Sequence, residues 1–287
     1  MLNDINFIDT HIHLWDLNND YPWIQNNENH DLKQNYLIEN LMNDAKGLSL
    51  KKIVHIQAEI SEKNKIKETE WLQKISDSHP LSFPNAIVGF VNLLDPKAEK
   101  DLEEHKQFKN FRGIRQILKC KDPKNDFLFN ELWLQNFNLL KKFDLSFDIL
   151  IYYTQYKQAI DLIKKFPSVQ FLINHCLWPE ESLDDFDGWK KAVNEMSKLD
   201  NVVLKISGFG EWKTNWSTDF ISDYIKVAID SFGTKRCMFA SNFPVDKFFS
   251  KSPYQSFWLA YMKIISKFSH TEINDLLMKN AEKYYRI

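Results

Sequence analysis

Short apolar stretches of strand length return eight times along this chain, and segments with helical spacing fill the gaps between them. The strand-type runs cover residues 7–13, 53–58, 86–92, 111–117, 147–152, 169–175, 202–208 and 237–242. Helical spacing marks 68–78, 97–108, 130–143, 156–166 and 219–232. Nearly continuous apolar strands alternating with helices predict a parallel sheet covered on both faces. Eight such units in 287 residues predict an α/β fold of the closed kind, a (β/α)8 TIM barrel. Such a barrel needs about 250 residues, so a single domain spanning 1–287 is expected. An open doubly wound sheet would carry a glycine-rich phosphate loop, and the seven glycines form neither GxGxxG nor a Walker pattern.

Charge narrows the function classes. Thirty-seven basic residues against 39 acidic ones give a net charge of −2, which predicts no nucleic-acid face and no polybasic membrane anchor. No run approaches 18 uncharged apolar residues, and the first four residues show no signal-peptide pattern, so a cytoplasmic location is the expectation. Three scattered cysteines without a CxxC pair fit that setting and argue against a disulfide framework. A small molecule is the expected partner; the sequence does not reveal the oligomeric state.

His11 and His13 stand one residue apart at the end of the first run. Strand alternation puts both imidazoles on one face, here toward the barrel mouth, the geometry two ligands need to share a metal. His175 ends the sixth run; it either completes a three-histidine set or donates to a carbonyl oxygen. His30, His79, His105 and His270 lack such company, whereas His55 shares strand parity with Gln57 and Glu59. Arg115 is one of four arginines among 33 lysines and faces inward by parity. A buried guanidinium needs an anion or several carbonyls, so it reads as a clamp on a substrate oxygen or as an internal pair with Asp9 or Glu59. Lys205 either binds substrate oxygen or pairs with an acid.

Further candidates for the pocket are Gln57, Tyr152, Gln155, Trp178, Trp212 and, on the polar loop 16–31, Trp23. Cys176 beside His175 is not a nucleophile–base pair on a strand, and no GxSxG elbow occurs.

The opening Phe7-Ile8-Asp9-Thr10-His11-Ile12-His13-Leu14-Trp15-Asp16 resembles the amidohydrolase-related proteins, in the branch of sugar-acid lactonases and 2-pyrone-4,6-dicarboxylate lactonase. The likeness continues through Gly113-Ile114-Arg115, Phe147-Asp148-Ile149-Leu150, Phe171-Leu172-Ile173-Asn174-His175, Lys205-Ile206-Ser207-Gly208 and the stretch from Met238 to Val245, ending at Asn280-Ala281-Glu282-Lys283-Tyr284-Tyr285. The resemblance implies the same barrel and hydrolysis of a small polar lactone. It implies Arg115 and His175 on the carbonyl, and His11 and His13 on the water, with or without one zinc or manganese ion on His11, His13 and His175. Many relatives carry Ser-Asp-Trp-Pro on the eighth strand, with the aspartate as base; this chain has Ser241-Asn242-Phe243-Pro244. An amide cannot take that proton. Asp246 is the expected acceptor, with Asn242 orienting it, and Glu59 or Glu211 as substitutes. Arg115 and Tyr152 or Tyr153 stand where a second metal's ligands would be, which argues against a binuclear site. The competing expectations are a decarboxylase or amide hydrolase on the same barrel, and a ligand-binding protein that has lost catalysis.

Overall fold

In a computed structural model of the chain, residues 5–26, 32–120, 130–179 and 185–287 are described. The eight strands are β1 (Asn6–Ile12), β2 (Ser49–Ile56), β3 (Ala86–Gly89), β4 (Phe111–Ile117), β5 (Ser146–Leu150), β6 (Phe171–Ile173), β7 (Val202–Ile206) and β8 (Cys237–Phe239). They pair in chain order and in parallel, from β1–β2 through to β7–β8. Contacts between β8 and β1 draw the sheet round: Ile12 bridges Phe243, His13 N donates to Phe243 O at 2.7 Å, and Thr10 Oγ1 donates to Phe239 O at 2.9 Å. The barrel expected from the alternation is the fold observed.

An apolar cluster of Val54, Ile56, Val88, Leu172, Val203 and Met238 joins strands from opposite sides of this order. Side chains so placed meet only across the barrel axis, so they form its inner plug. Tyr285 from the C-terminal end of the chain joins them, and its hydroxyl donates to Asp148 Oδ1 at 3.1 Å. A far larger cluster packs the outer face against the helices, with Trp15, Trp133, Trp189 and Trp258 fully buried. Rings of that kind bury about 150–250 Å² each, worth roughly 4–6 kcal/mol apiece in transfer free energy.

Helical stretches outside the spacing read from the sequence include Ile38–Asp44, Phe186–Met196, Val245–Ser250, Tyr254–Ile265 and the terminal run from His270 to Tyr285. Tyr254–Ile265 buries seven of its residues, so its apolar side is too broad to show a one-faced period. The sixth and eighth strands stop earlier than the apolar runs. Asn174 spends its amide on Asp148 Oδ1 and Leu172 O, and Ser241 N donates to Asp9 Oδ1 rather than to a strand partner. Each of these side chains takes over from the ladder at the barrel rim.

Candidate active site

The C-terminal ends of the strands surround a cavity of about 250 Å³. That is below the roughly 300–1,000 Å³ typical of drug-sized sites, a size for one small polar ring. His13, Arg115, His175 and Asn242 border it, with Trp23 and Trp178 as aromatic walls. Glu59, Lys119 and Glu211 complete the polar lining. A larger hollow, of about 570 Å³, lies elsewhere, between Asp44, Lys247 and Tyr254, and brings no histidine together.

His13 is fixed by its Nδ1, which donates to Ile56 O at 2.7 Å, so its Nε2 presents a lone pair. His11 Nε2 lies 3.2 Å from that nitrogen, and His11 Nδ1 is buried with no partner among the described residues. His175 packs against His11 with ring centroids 4.4 Å apart, and its Nδ1 meets Ser207 Oγ at 3.0 Å. Burial is the main reason all three rings are held well below the usual imidazole pKa, and the positive charge of Arg115 adds to it. All three are neutral at pH 7.

The turn that presents His175 is left-handed at four successive residues, His175, Cys176, Leu177 and Trp178, with φ of 52°, 53°, 61° and 34°. Such backbone costs on the order of 1–2 kcal/mol per residue and persists only where the surroundings impose it. Here Trp189 Nε1 holds Cys176 O at 2.7 Å and Trp178 N holds His175 O at 2.8 Å. Gly208, at φ 85°, makes room beneath: a Cβ there would stand 2.6 Å from the Cβ of His175. Cys176 is buried in this turn and its thiol is pushed up to about 12, so it is inert whichever way it points.

Arg115 is 4% exposed, and among the described residues its guanidinium makes one hydrogen bond, from Nη2 to Gln57 O at 2.6 Å. Its Nε is buried and has no partner among them. Burial lowers its pKa, opposed first by Glu59, then by Asp148, Glu68 and Glu211. Neither Asp9 nor Glu59 forms a salt bridge with it. Asp9 is engaged by Ser241 N at 3.0 Å and by the Tyr254 hydroxyl at 2.9 Å, and burial pushes its carboxyl up to about 6.

Asn242 adopts φ 52°, a conformation asparagine tolerates, and its Nδ2 donates to Asp246 Oδ1 at 2.8 Å and towards Glu211 Oε2 at 3.3 Å. Asp246 is fully buried behind Asn242 and does not border the cavity. Its backbone N–H reaches Asn242 O at 3.2 Å, so the chain turns down into a helix there and carries the carboxyl away from the mouth. Burial raises the Asp246 carboxyl well above the usual range. Glu211 does face the cavity, and burial raises its pKa too, against the pull of Lys119, Asn242 and Arg115.

Lys205 lies away from the cavity lining, fully buried and ion-paired with Asp148, so the structure realises the pairing alternative for it. Gln57 borders a neighbouring hollow rather than the main cavity, and Tyr152 stands off at the rim, 5.6 Å from Lys119 Nζ. Trp212 packs on Tyr224 away from the cavity, and Gln155 binds Leu118 O. His55 donates to Leu14 O and is held down to about 3 by burial. His30 lies outside the described residues. Lys119 was not singled out in the sequence, because it sits beyond the fourth strand where parity no longer applies; its ammonium lies 3.9 Å over the Trp178 ring.

The histidines test the fit of a metal. Two Zn–N bonds of about 2.0–2.1 Å at a near-tetrahedral angle place the nitrogens roughly 3.2–3.4 Å apart. His11 and His13 meet that spacing at 3.2 Å. A catalytic zinc takes three protein ligands, and among the described residues no group of three or more His, Cys, Asp or Glu is arranged to share an ion. The three-histidine set is not assembled; two positions of it are, and the donor set does not fit a firmly held resident ion.

A closed parallel barrel whose first strand delivers paired histidines to the mouth has the build of the amidohydrolase hydrolases. The chain belongs to the amidohydrolase family, whose profile matches residues 8–287. It is 38% identical, over the full length of both chains, to the uncharacterized protein y4mH of Sinorhizobium fredii. To an L-fucono-1,5-lactonase of Burkholderia multivorans it is 25% identical, covering 83% of this chain and 82% of that one. Among solved structures, a Burkholderia multivorans amidohydrolase with bound zinc superposes with a TM-score of 0.85 at 23% identity, covering 99% of this chain and 100% of that one. No helix among the described residues is long and apolar enough to cross a membrane.

Proposed function

We propose that the protein hydrolyses a small polar lactone, that of a sugar acid, in the cavity at the barrel mouth. The observation that carries the reading is Arg115: a buried guanidinium with a single hydrogen bond borders a cavity beside a neutral histidine and a raised carboxyl. Such a group needs an oxygen-rich ligand to complete it. Trp23 and Trp178 offer apolar faces to a sugar ring, and Glu59 and Lys119 offer partners for its hydroxyls. The lactonases among the relatives support the same class of substrate.

Arg115 and His175 polarise the lactone carbonyl; with the Ser207 hydroxyl donating to Nδ1, the His175 ring carries its proton on Nε2. Glu211 takes one proton from water, whose oxygen bonds to the carbonyl carbon. Negative charge then moves onto the carbonyl oxygen, where Arg115 and His175 stand ready. Collapse breaks the ring C–O bond, and the leaving alkoxide takes the proton back from Glu211, giving the open hydroxy acid. Asn242 holds Glu211 through its amide, and Asp246 holds Asn242, a supporting place instead of the proton-accepting one expected for it. His13 bounds the water's side of the cavity, and His11 backs it from behind. No step is routed through a metal, since the donor set is incomplete for one.

A panel of sugar-acid lactones with a pH indicator tests this. Turnover of at least one lactone well above a His175→Ala control is expected. Equal rates for the two proteins across the panel would defeat the proposal.

A further inference from the structure

Beside the mouth lies a second hollow, of about 330 Å³, that no step of the proposed reaction uses. Glu59 and Ile117 border both spaces and form the partition between them. Glu59 stands there because its backbone turns left-handed, φ 56°, directly after β2.

Two amides in the walls are incompletely used. Gln57 and Gln116 are 2% and 8% exposed. Gln57 spends its Oε1 on the Glu59 N–H at 2.5 Å, and Gln116 spends its own on the Trp133 indole N–H at 2.9 Å. The Nε2 group of each has no acceptor among the described residues and is not shut off from solvent, so it is open to a ligand in the hollow that both residues line. Carboxylates of Glu59 and Glu62, the ring of Phe90 and the side chain of Ile60 also border it. Amide donors, carboxylate acceptors and one aromatic face are the set that recognises a neutral hydroxylated ring. No cation among the described residues borders the hollow, which disfavours a phosphate or carboxylate there, and the carboxylates disfavour an apolar group.

Resting on the lactonase reading, we propose that this hollow is a second sugar subsite, and that the substrates are acid lactones carrying a further sugar ring beyond the one opened at the mouth. The acid end lies by Arg115, and the added ring crosses the Glu59–Ile117 partition to Gln57 and Gln116.

Calorimetric titration of the full chain with open-chain acids tests this without needing turnover. Gluconate serves as the single-unit probe, and maltobionate, cellobionate and lactobionate attach one sugar ring to that same open-chain acid. At least one ring-bearing acid should bind about tenfold or more tightly than gluconate, as two added hydrogen bonds of ordinary net strength would give. Gln116→Met should erase most of that gain. Glu62→Ala, at the exposed rim and clear of the buried amides, should reduce it in part, with thermal melting confirming that both variants fold. No ring-bearing acid binding better than gluconate, or a gain that survives Gln116→Met, would overturn the subsite. Failure of every lactone to be hydrolysed would instead defeat the lactonase reading, while the comparison of acids would still decide the subsite.

Discussion

Replacing Glu211 with glutamine keeps the shape of the side chain and its acceptor toward Asn242 but removes the carboxylate proposed to take a proton from water. Removing a positioned base costs about 10²–10⁴ in rate, which is about 3–5 kcal/mol of transition-state stabilisation. The loss should fall on kcat with KM little changed, because the carboxyl acts on the water and the binding donors remain. The pH profile carries an independent sign. Burial raises the Glu211 pKa above its ordinary 4.5, so the base is active only when pH exceeds that raised value. Wild-type kcat/KM should rise along an acid limb whose midpoint lies above 4.5, and the limb should vanish from the residual activity of Glu211→Gln. Stability moves the other way. Between 4.5 and its folded pKa the carboxyl binds more protons folded than unfolded, so its contribution declines as pH rises through that window. At pH 8 the variant should therefore melt no lower than wild type while being nearly inactive. Initial rates across pH 4–9 and thermal melts on the same samples check both. Activity within threefold of wild type, or an unchanged acid limb, would refute the assignment.

Two further outcomes follow from the buried groups. Lys205→Met strands the Asp148 carboxylate inside the barrel and should cost about 3–5 kcal/mol in urea unfolding, whereas Lys205→Met with Asp148→Asn should recover most of it; an equally unstable double variant would argue against a structural pair. Dialysis against a chelator should leave turnover within about twofold, because two imidazoles without a third protein ligand hold a divalent ion weakly; abolished turnover restored by zinc or manganese would show that the donor set closes on binding.

Some of the site was legible because periodicity carries it. His11 lies on β1 and His13 one residue past its end, so alternation pointed to their approach, and the inward position of Arg115 follows from the same rule. Glu211 and Lys119 lie past strand ends, where no period tells which way a side chain points. Asp246 misled for a related reason: four residues from Asn242 looks close in sequence, but a helical turn starting there directs the carboxyl beneath its neighbour rather than beside it. Trp212 follows the mouth-lining Glu211 and yet packs among outer aromatics.

The alternation of apolar runs and helical segments was enough by itself to settle the closed barrel, since buried parallel strands need both faces covered and eight units exhaust the chain. Which groups converge was decided elsewhere, by contacts between residues far apart in sequence. Gly208 leaves space for His175, a left-handed turn lifts that ring into the mouth, and Asp148 claims Lys205 from across the barrel. Strand order and burial are set by local pattern, whereas the pairing and protonation of polar groups depend on distances and desolvation that exist only once the barrel has closed.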